Sequence, residues 1–525
     1  VDFDFILTTD RTMMTNHHGK EFLGFMTTSP AVGLPERLWM WLCAPKMKTD
    51  KAGRVWQAPY GLRKIEAALI DAGFKAAVVD PSKLKKYSKS VKAILIGHHD
   101  FFAFCAPSST WWVITGKEPV NRKYFMKLME SPAIREAKKR GAKLIVGGPA
   151  AWQWLHMTEY WTKWGVDTVV DGEAEKVIVD LAQRIIEGRT LPKYVYVGPQ
   201  EAPSIEEIPI IKHASVNGLV EIMRGCPRGC KFCSVTLRPL RYIPLDVIEK
   251  EISVNVREGV RYGLLHSEDV LIYGANGVHP RPKPLFKLHE ITLKYYRAIA
   301  WSHSSLSAIV CAEREHKLVS KLTEYIFSKT GQKFLGLQTG IETGSPRLAK
   351  EIMSAKAAPY KVEEWPDIVE EAFAIMHDNM IIPAATLILN VPNETTDDII
   401  KTAELLERLK PYRSLIVPMY FVPLGVLKDQ SLQIRIKPEH VDIMWLCLEH
   451  AFRWVPMISK MYLEGPFYFP LRVLIDAFLW WVRRQAEALK PKLKAYIEKL
   501  AEESRKWEPS SAVVQEAEMG SATKP

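Results

Sequence analysis

Arg224-Gly225-Cys226-Pro227-Arg228-Gly229-Cys230-Lys231-Phe232-Cys233 is the stretch on which the reading of this chain turns. Thiols spaced C-x3-C-x2-C let one short loop fold around a single face of a metal cluster. Gly225 and Gly229 free the backbone for a tight wrap, and Pro227 stiffens its first step. An electron-carrier iron–sulfur site normally has four protein ligands, so three leave a position for something other than protein. Zinc also takes thiolates, yet structural zinc wants four ligands, and no C-x2-C or H-x3-H partner follows. The other cysteines, Cys43, Cys105, Cys311 and Cys447, stand singly. That scatter argues against a disulfide scaffold and for a reducing compartment; each lone cysteine reads as a small buried hydrophobe.

The apolar run Val220–Met223 leads into the cysteine loop as a strand. Further strands are expected at Val270–Tyr273, Ala308–Cys311, Phe334–Gln338, Ala384–Leu389 and Leu415–Val417. Alternating with helical stretches over 219–425, they predict a partial (β/α)6, TIM-like barrel with its chemistry at the carboxyl ends of the strands. Upstream, residues 1–190 also alternate short apolar runs with amphipathic helices, and glycines follow the strands at Gly97, Gly147 and Gly172. That pattern predicts a doubly wound, Rossmann-like parallel sheet, again an α/β fold. The proline-rich 191–218 reads as a linker, 426–505 as a helical C-terminal extension and the polar 506–525 as a disordered tail.

Hydrophobic residues make up 47% of the 525, enough for a large core, and the formal net charge is +11. No dense Lys/Arg block marks a nucleic-acid arm, so the charge is diffuse. The first residues read as a strand rather than a leader. No window of eighteen apolar residues exists, so no bilayer span is expected and the location is taken as cytoplasmic.

The C-x3-C-x2-C loop, with Phe232 before its last cysteine, resembles the signature of radical S-adenosylmethionine enzymes. The resemblance implies a [4Fe–4S] cluster on Cys226, Cys230 and Cys233, with S-adenosylmethionine on the fourth iron and Phe232 near its adenine. Leu337-Gln338-Thr339-Gly340-Ile341-Glu342-Thr343-Gly344-Ser345 resembles the family's glutamate segment on the fourth barrel strand. It implies Gln338 and Glu342 in the S-adenosylmethionine pocket; a strand-to-helix turn with Ser345 as N-cap is the alternative. Leu389-Asn390-Val391-Pro392-Asn393-Glu394-Thr395 resembles a further family segment, with Asn in place of both glycines. After the second strand the family's Gly-Gly-Glu is replaced by Ser267-Glu268-Asp269, which resembles the acidic pair of cobalamin-dependent members. Glu268 or Asp269 would then meet the ligand's amino group, or both are acids at a strand start.

The domain ahead of the barrel resembles the cobalamin-binding domain of that subgroup, carried by Gly147-Gly148-Pro149 and Asp171-Gly172-Glu173-Ala174-Glu175. It implies cobalamin against Gly97, His98, Gly147, Gly148, Pro149, Gly172 and Glu173. The Asp-x-His-x-x-Gly axial motif is absent, and His98 and His99 lack its spacing, so no histidine is expected under the cobalt. The polar loop Arg11–Gly19 either borders a ligand or is a capped turn. Trp445, Trp454, Trp480 and Trp481 are expected to form an apolar wall in the helical extension. The resemblance is to archaeal enzymes of this type and implies C-methylation of an sp3 carbon. A protein substrate comes first, glutamine of the methyl-coenzyme M reductase alpha subunit, with an external electron donor and no nucleic acid. Ring formation in tetraether lipids is the second choice. A cobalamin or iron–sulfur sensor would have no use for the Glu342 segment.

Overall fold

The computed structural model describes residues 2–20, 23–430, 432–433, 437–502 and 506–507. The expected tail, 506–525, therefore lies almost wholly outside the described residues. Six parallel strands form the first sheet: β1 (Phe5–Thr8), β2 (Ala76–Val78), β3 (Ala93–Gly97), β4 (Lys143–Gly147), β5 (Thr168–Asp171) and β6 (Tyr194–Tyr196), in the order β2-β1-β3-β4-β5-β6. Side chains alternate between two cores, as the two-residue period of a strand requires. Phe5, Leu7, Leu95 and Ile145 meet the helices Tyr60–Asp71 and Glu175–Ile186. Ile6, Ile94, Ile96, Leu144 and Val146 meet Phe125, Leu128, Ile134 and Ala137 on the other face. The strand order reverses between β1 and β3, where an open α/β sheet leaves a crevice for a ligand.

The 191–218 stretch, expected as a linker, supplies β6 and so extends the sheet by one strand. Prolines 192, 199 and 203 flank Tyr194–Tyr196 and mask its β-branched core in the sequence.

Six more parallel strands follow: β7 (Leu219–Glu221), β8 (Tyr262–His266), β9 (Ala298–Trp301), β10 (Leu335–Glu342), β11 (Ile381–Leu389) and β12 (Leu415–Tyr420). β7-β8-β9 and β10-β11-β12 are hydrogen-bonded trios, joined by a parallel bridge between His303 and Gln338. The partial barrel is as expected, but two of its strands lie elsewhere. Val270–Ile272 is a 3-10 turn after β8, and Ala308–Cys311 belongs to the helix Leu306–His316. Both runs are buried, so apolar content alone did not separate them from strands. Ser305 caps that helix by accepting from the Ala308 amide, a start signal present in the sequence.

The helical extension holds Pro438–Tyr462 and Phe469–Glu502. Trp454 is buried and donates its indole N–H to the Lys410 carbonyl at 3.2 Å, while Trp480 is 60% exposed. The expected tryptophan wall is therefore split between core and surface. No helix among the described residues is long and apolar enough to cross a membrane.

Candidate active site between two sets of strand ends

A cavity of about 600 Å³ lies between the carboxyl ends of the two sheets, within the size range of ligand sites. From the first sheet come Thr12, Met13 and Thr15 after β1, Gly97 to Asp100 after β3, Gly147 to Pro149 after β4, and Gly172 to Glu175 after β5. From the barrel come Glu221, Arg224, His266 and Gln338. All seven residues expected at cobalamin thus border one space, and so does part of the Arg11–Gly19 loop. Within the protein each already has contacts of its own.

The glycines answer first to the protein's own packing. A Cβ on Gly148 would lie 2.7 Å from the His98 carbonyl oxygen, and one on Gly172 would lie 2.5 Å from that of Val197. Both sit at φ beyond +100°, open to glycine alone. Glu173 is committed elsewhere: Arg224 Nη1 and Arg241 Nη2 donate to its carboxylate at 2.8 and 2.6 Å. Burial alone would raise its pKa, but these two arginines hold it below the ordinary range. Glu173 is a strut from the first sheet to the segment flanking the cysteine loop.

Both ring nitrogens of His98 are engaged. Nδ1 accepts from the Asp100 amide at 2.8 Å, so the proton sits on Nε2, which donates to Asp10 Oδ2 at 2.5 Å. Its neighbour His99 opens onto the cavity while enclosed by protein, and burial pushes its pKa down to about 4. His266, the last residue of β8, and His303, after β9, are held at about 4 for the same first reason. At neutral pH these three are uncharged acceptors or donors.

The cysteine loop is pinned before any metal arrives. The Lys231 amide donates to the Ile352 carbonyl at 2.8 Å, and the Val426 amide donates to that of Lys231 at 2.9 Å. Arg228 is buried beneath the loop; it donates to Ser305 Oγ at 2.9 Å and to the Ala358 carbonyl, and pairs with Asp269 at 3.5 Å. Phe232 packs against the barrel core. Burial pushes the thiols of Cys226 and Cys230 up to about 12 and about 11, so an incoming metal must displace their protons. Around one zinc ion, ligand sulfurs would stand about 3.8 Å apart. Among the described residues the donor trio gathered within 4.8 Å is His279, Cys311 and Glu315, not the loop cysteines.

Of the two acids after β8, Asp269 is a support: Ser304 and Ser305 donate to it at 2.7 and 2.5 Å. Glu268 keeps Oε2 buried without a partner, and burial lifts its pKa to about 7. Glu342, at φ +63° on a bulge in β10, accepts from Lys356 Nζ at 2.5 Å and from Thr386 Oγ1 at 3.1 Å. Sequence reasoning missed Lys356. Nothing around Ser354-Ala355-Lys356-Ala357 marks it, yet its buried ammonium faces Glu342, Cys230 and Cys233. Ser267 Oγ, Glu268 Oε2, His303 Nδ1 and Thr339 Oγ1 are all buried and unpartnered; the first three stand just beyond the ends of β8 and β9, and Thr339 lies within β10 next to Gln338, which bridges to His303. Buried polar groups without partners are rare enough to need a reason, and these four lie on or after the adjacent strands β8, β9 and β10, with Glu268 near enough to Cys233 to add to burial in pushing its thiol pKa up. A polar ligand bound there would satisfy them.

Residues 220–406 match the radical SAM superfamily, so this part of the chain is a radical SAM domain. An uncharacterised protein of Methanopyrus kandleri is 27% identical over 197 residues, 36% of this chain and 34% of that protein. The chain thus spans about a third of that relative's length. The tRNA-2-methylthio-N(6)-dimethylallyladenosine synthase of Magnetococcus marinus is 25% identical over 340 residues, covering 62% of this chain and 72% of that enzyme. Among solved structures, the radical S-adenosylmethionine methyltransferase TsrM of Kitasatospora setae, with cobalamin and a [4Fe–4S] cluster bound, superposes with a TM-score of 0.51. It shares 13% identity and covers 83% of this chain and 73% of that one. At that identity the likeness is one of fold alone.

Proposed function

We propose that the chain is a cobalamin-dependent radical S-adenosylmethionine enzyme that methylates an unactivated sp3 carbon. The observation that carries this reading is the cavity itself. Glu221, Arg224, His266 and Gln338 stand on its barrel side, and its other wall is the switch point of a Rossmann-like sheet; Arg224 opens the three-cysteine loop, and Glu268 lies two residues beyond His266. Cys226, Cys230 and Cys233 would hold the [4Fe–4S] cluster, and Phe232, Glu268, Gln338 and Glu342 would hold S-adenosylmethionine. The glycine-edged wall from Gly97 to Gly172 would receive the corrin. When bound, these groups supply an electron for cleaving S-adenosylmethionine and a carried methyl group.

The residues' own work is then definable. Lys356 balances Glu342 and the charge of the thiolates, Glu268 offers a carboxyl poised between its two protonation states, and the neutral His99 and His266 face the reacting space. The first target to test is a protein residue, glutamine of the methyl-coenzyme M reductase alpha subunit. Ring closure in tetraether lipids is the second reading. It is favoured by the apolar side chains that Phe469, Val473, Leu474 and Trp480 leave exposed on one helix.

Deuterated-methyl S-adenosylmethionine separates the two. Methylation should place the label in the product and yield S-adenosylhomocysteine and 5′-deoxyadenosine in about equal amounts, since separate chemistries consume two molecules. An unlabelled product with 5′-deoxyadenosine formed in full would reject methylation and leave ring closure standing.

A further inference from the structure

Away from the cavity, His279, Cys311 and Glu315 converge at one point of the barrel's outer layer. Cys311 and Glu315 are four residues apart on the helix Leu306–His316 and so share a face. His279 comes from the irregular segment that precedes the helix Pro282–Tyr295. His279 Nδ1 lies 2.8 Å from Glu315 Oε1 and 3.7 Å from Cys311 Sγ, and all three ligand atoms fall within 4.8 Å of one another. Zinc bound to sulfur at about 2.3 Å and nitrogen at about 2.05 Å with a tetrahedral angle sets those two atoms about 3.6 Å apart. The observed separation matches within 0.1 Å. Without an ion the three groups hydrogen-bond one another, the thiol to Glu315 and His279 and the ring to Glu315, so their ligand atoms already face one point. A nitrogen and an oxygen on one zinc stand about 3.4 Å apart, so the exposed Glu315 carboxylate must draw back from Nδ1 as the ion enters.

We propose that His279, Cys311 and Glu315 bind one divalent ion of the zinc class, with the fourth position open to water. The mixed N, S and O set suits zinc or cobalt(II) over magnesium or calcium, which want oxygen ligands. Cys311 is buried while the other two donors are exposed, so the ion enters from solvent and seats on the sulfur. Binding releases the thiol proton, leaving thiolate on the metal. The ion fastens the 273–281 segment to a helix whose first turn lies under the cysteine loop. There Ser305 accepts from Arg228 and donates to Asp269. Cys311 is about 9 Å along that helix from Ser305, so the site is a clamp on the cluster's support and not part of the reacting space.

The test uses the full chain, cluster-loaded and kept anaerobic, equilibrated with zinc chloride and then freed of loose metal. One equivalent of zinc per chain should remain. Its X-ray absorption edge, separate from that of iron, should fit one sulfur with nitrogen and oxygen ligands. Cys311→Ser, His279→Ala and the exposed Glu315→Gln should each weaken zinc binding more than about tenfold, because even outer-shell changes cost 10–100-fold. Iron content should be unchanged in these variants, which shows that they fold. Zinc lost from the wild type, zinc kept equally by all three variants, or an edge fitted by three sulfurs would each overturn the assignment.

Discussion

At the residue scale, what decides a role is which polar atoms are already spent. His98 and Glu173 stand on the expected strand-end loops, yet their hydrogen bonds are used within the protein, whereas Glu268 retains a buried oxygen with no partner. Its pKa of about 7 lies above the ordinary 4.5 because burial penalises the charge. A raised carboxyl pKa stabilises the fold below the unfolded value, and that contribution is lost as pH rises through 7. Glu268→Gln should therefore stabilise the ligand-free protein at pH 8 relative to pH 5, by up to about 3 kcal/mol, read by urea unfolding at both pH values. An equal effect at both would show that the carboxyl is not buried as charge. The cysteines carry a simpler expectation: replacing Cys226, Cys230 and Cys233 with alanine should abolish the four-iron chromophore after anaerobic reconstitution. A full cluster in that variant would refute the assignment. That the three share one short loop was legible from their spacing alone. Glu268 was legible only as half of a pair, since its neighbour's commitment to Ser304 and Ser305 depends on two distant loop residues.

At the scale of elements, the cysteine loop behaves as a preformed piece, held by Arg228 to the first turn of one helix and to the Ala358 carbonyl. Removing one partner of a buried ion pair is costly, on the order of 3–5 kcal/mol, because the other charge stays behind. Arg228→Met should lower stability by about that much through the stranded Asp269 and should cut iron bound per chain. Arg228→Lys should not restore it, since a point ammonium cannot reach Ser305 and Ala358 together. Circular dichroism melts and iron assay read both, and normal iron loading in Arg228→Met would mean that the loop needs no such pin. Strand positions were less legible than strand number. Val270–Ile272 and Ala308–Cys311 are as apolar as any strand, but what buries them is the packing of a turn and a helix against the barrel. The true strand Tyr262–His266 begins with an exposed Tyr262 and contains a glycine, Gly263, whose Cβ would strike the ring of Tyr296, so its composition reads poorly as a strand.

At the scale of the whole molecule, the cavity exists only because two α/β units are fixed with their strand ends facing, and that arrangement had no signal in the sequence. Its fastening is ionic and buried. Lys64, on the helix Tyr60–Asp71 of the first unit, donates to Glu251 of the barrel at 2.5 Å and to the Pro209 carbonyl at 2.7 Å; Tyr60 donates to the same carboxylate at 2.6 Å. Lys64 and Glu251 are both almost fully shielded from solvent. Each residue looks like an ordinary helix-surface charge in the sequence, and only the docking of one unit on the other makes them partners. Glu251→Ala should strand the Lys64 ammonium in the interface and cost about 3–5 kcal/mol. Because the loss falls between the units, calorimetry should show the variant's unfolding split or broaden relative to the wild type's, the first sheet melting apart from the barrel. The double replacement Lys64→Met, Glu251→Leu removes both charges and keeps the volume, so it should recover most of the loss, as paired apolar substitutes for buried ion pairs do. If Glu251→Ala melts as one transition at the wild-type temperature, the units are held by their apolar contacts instead. The cavity's shape would then no longer depend on this pair.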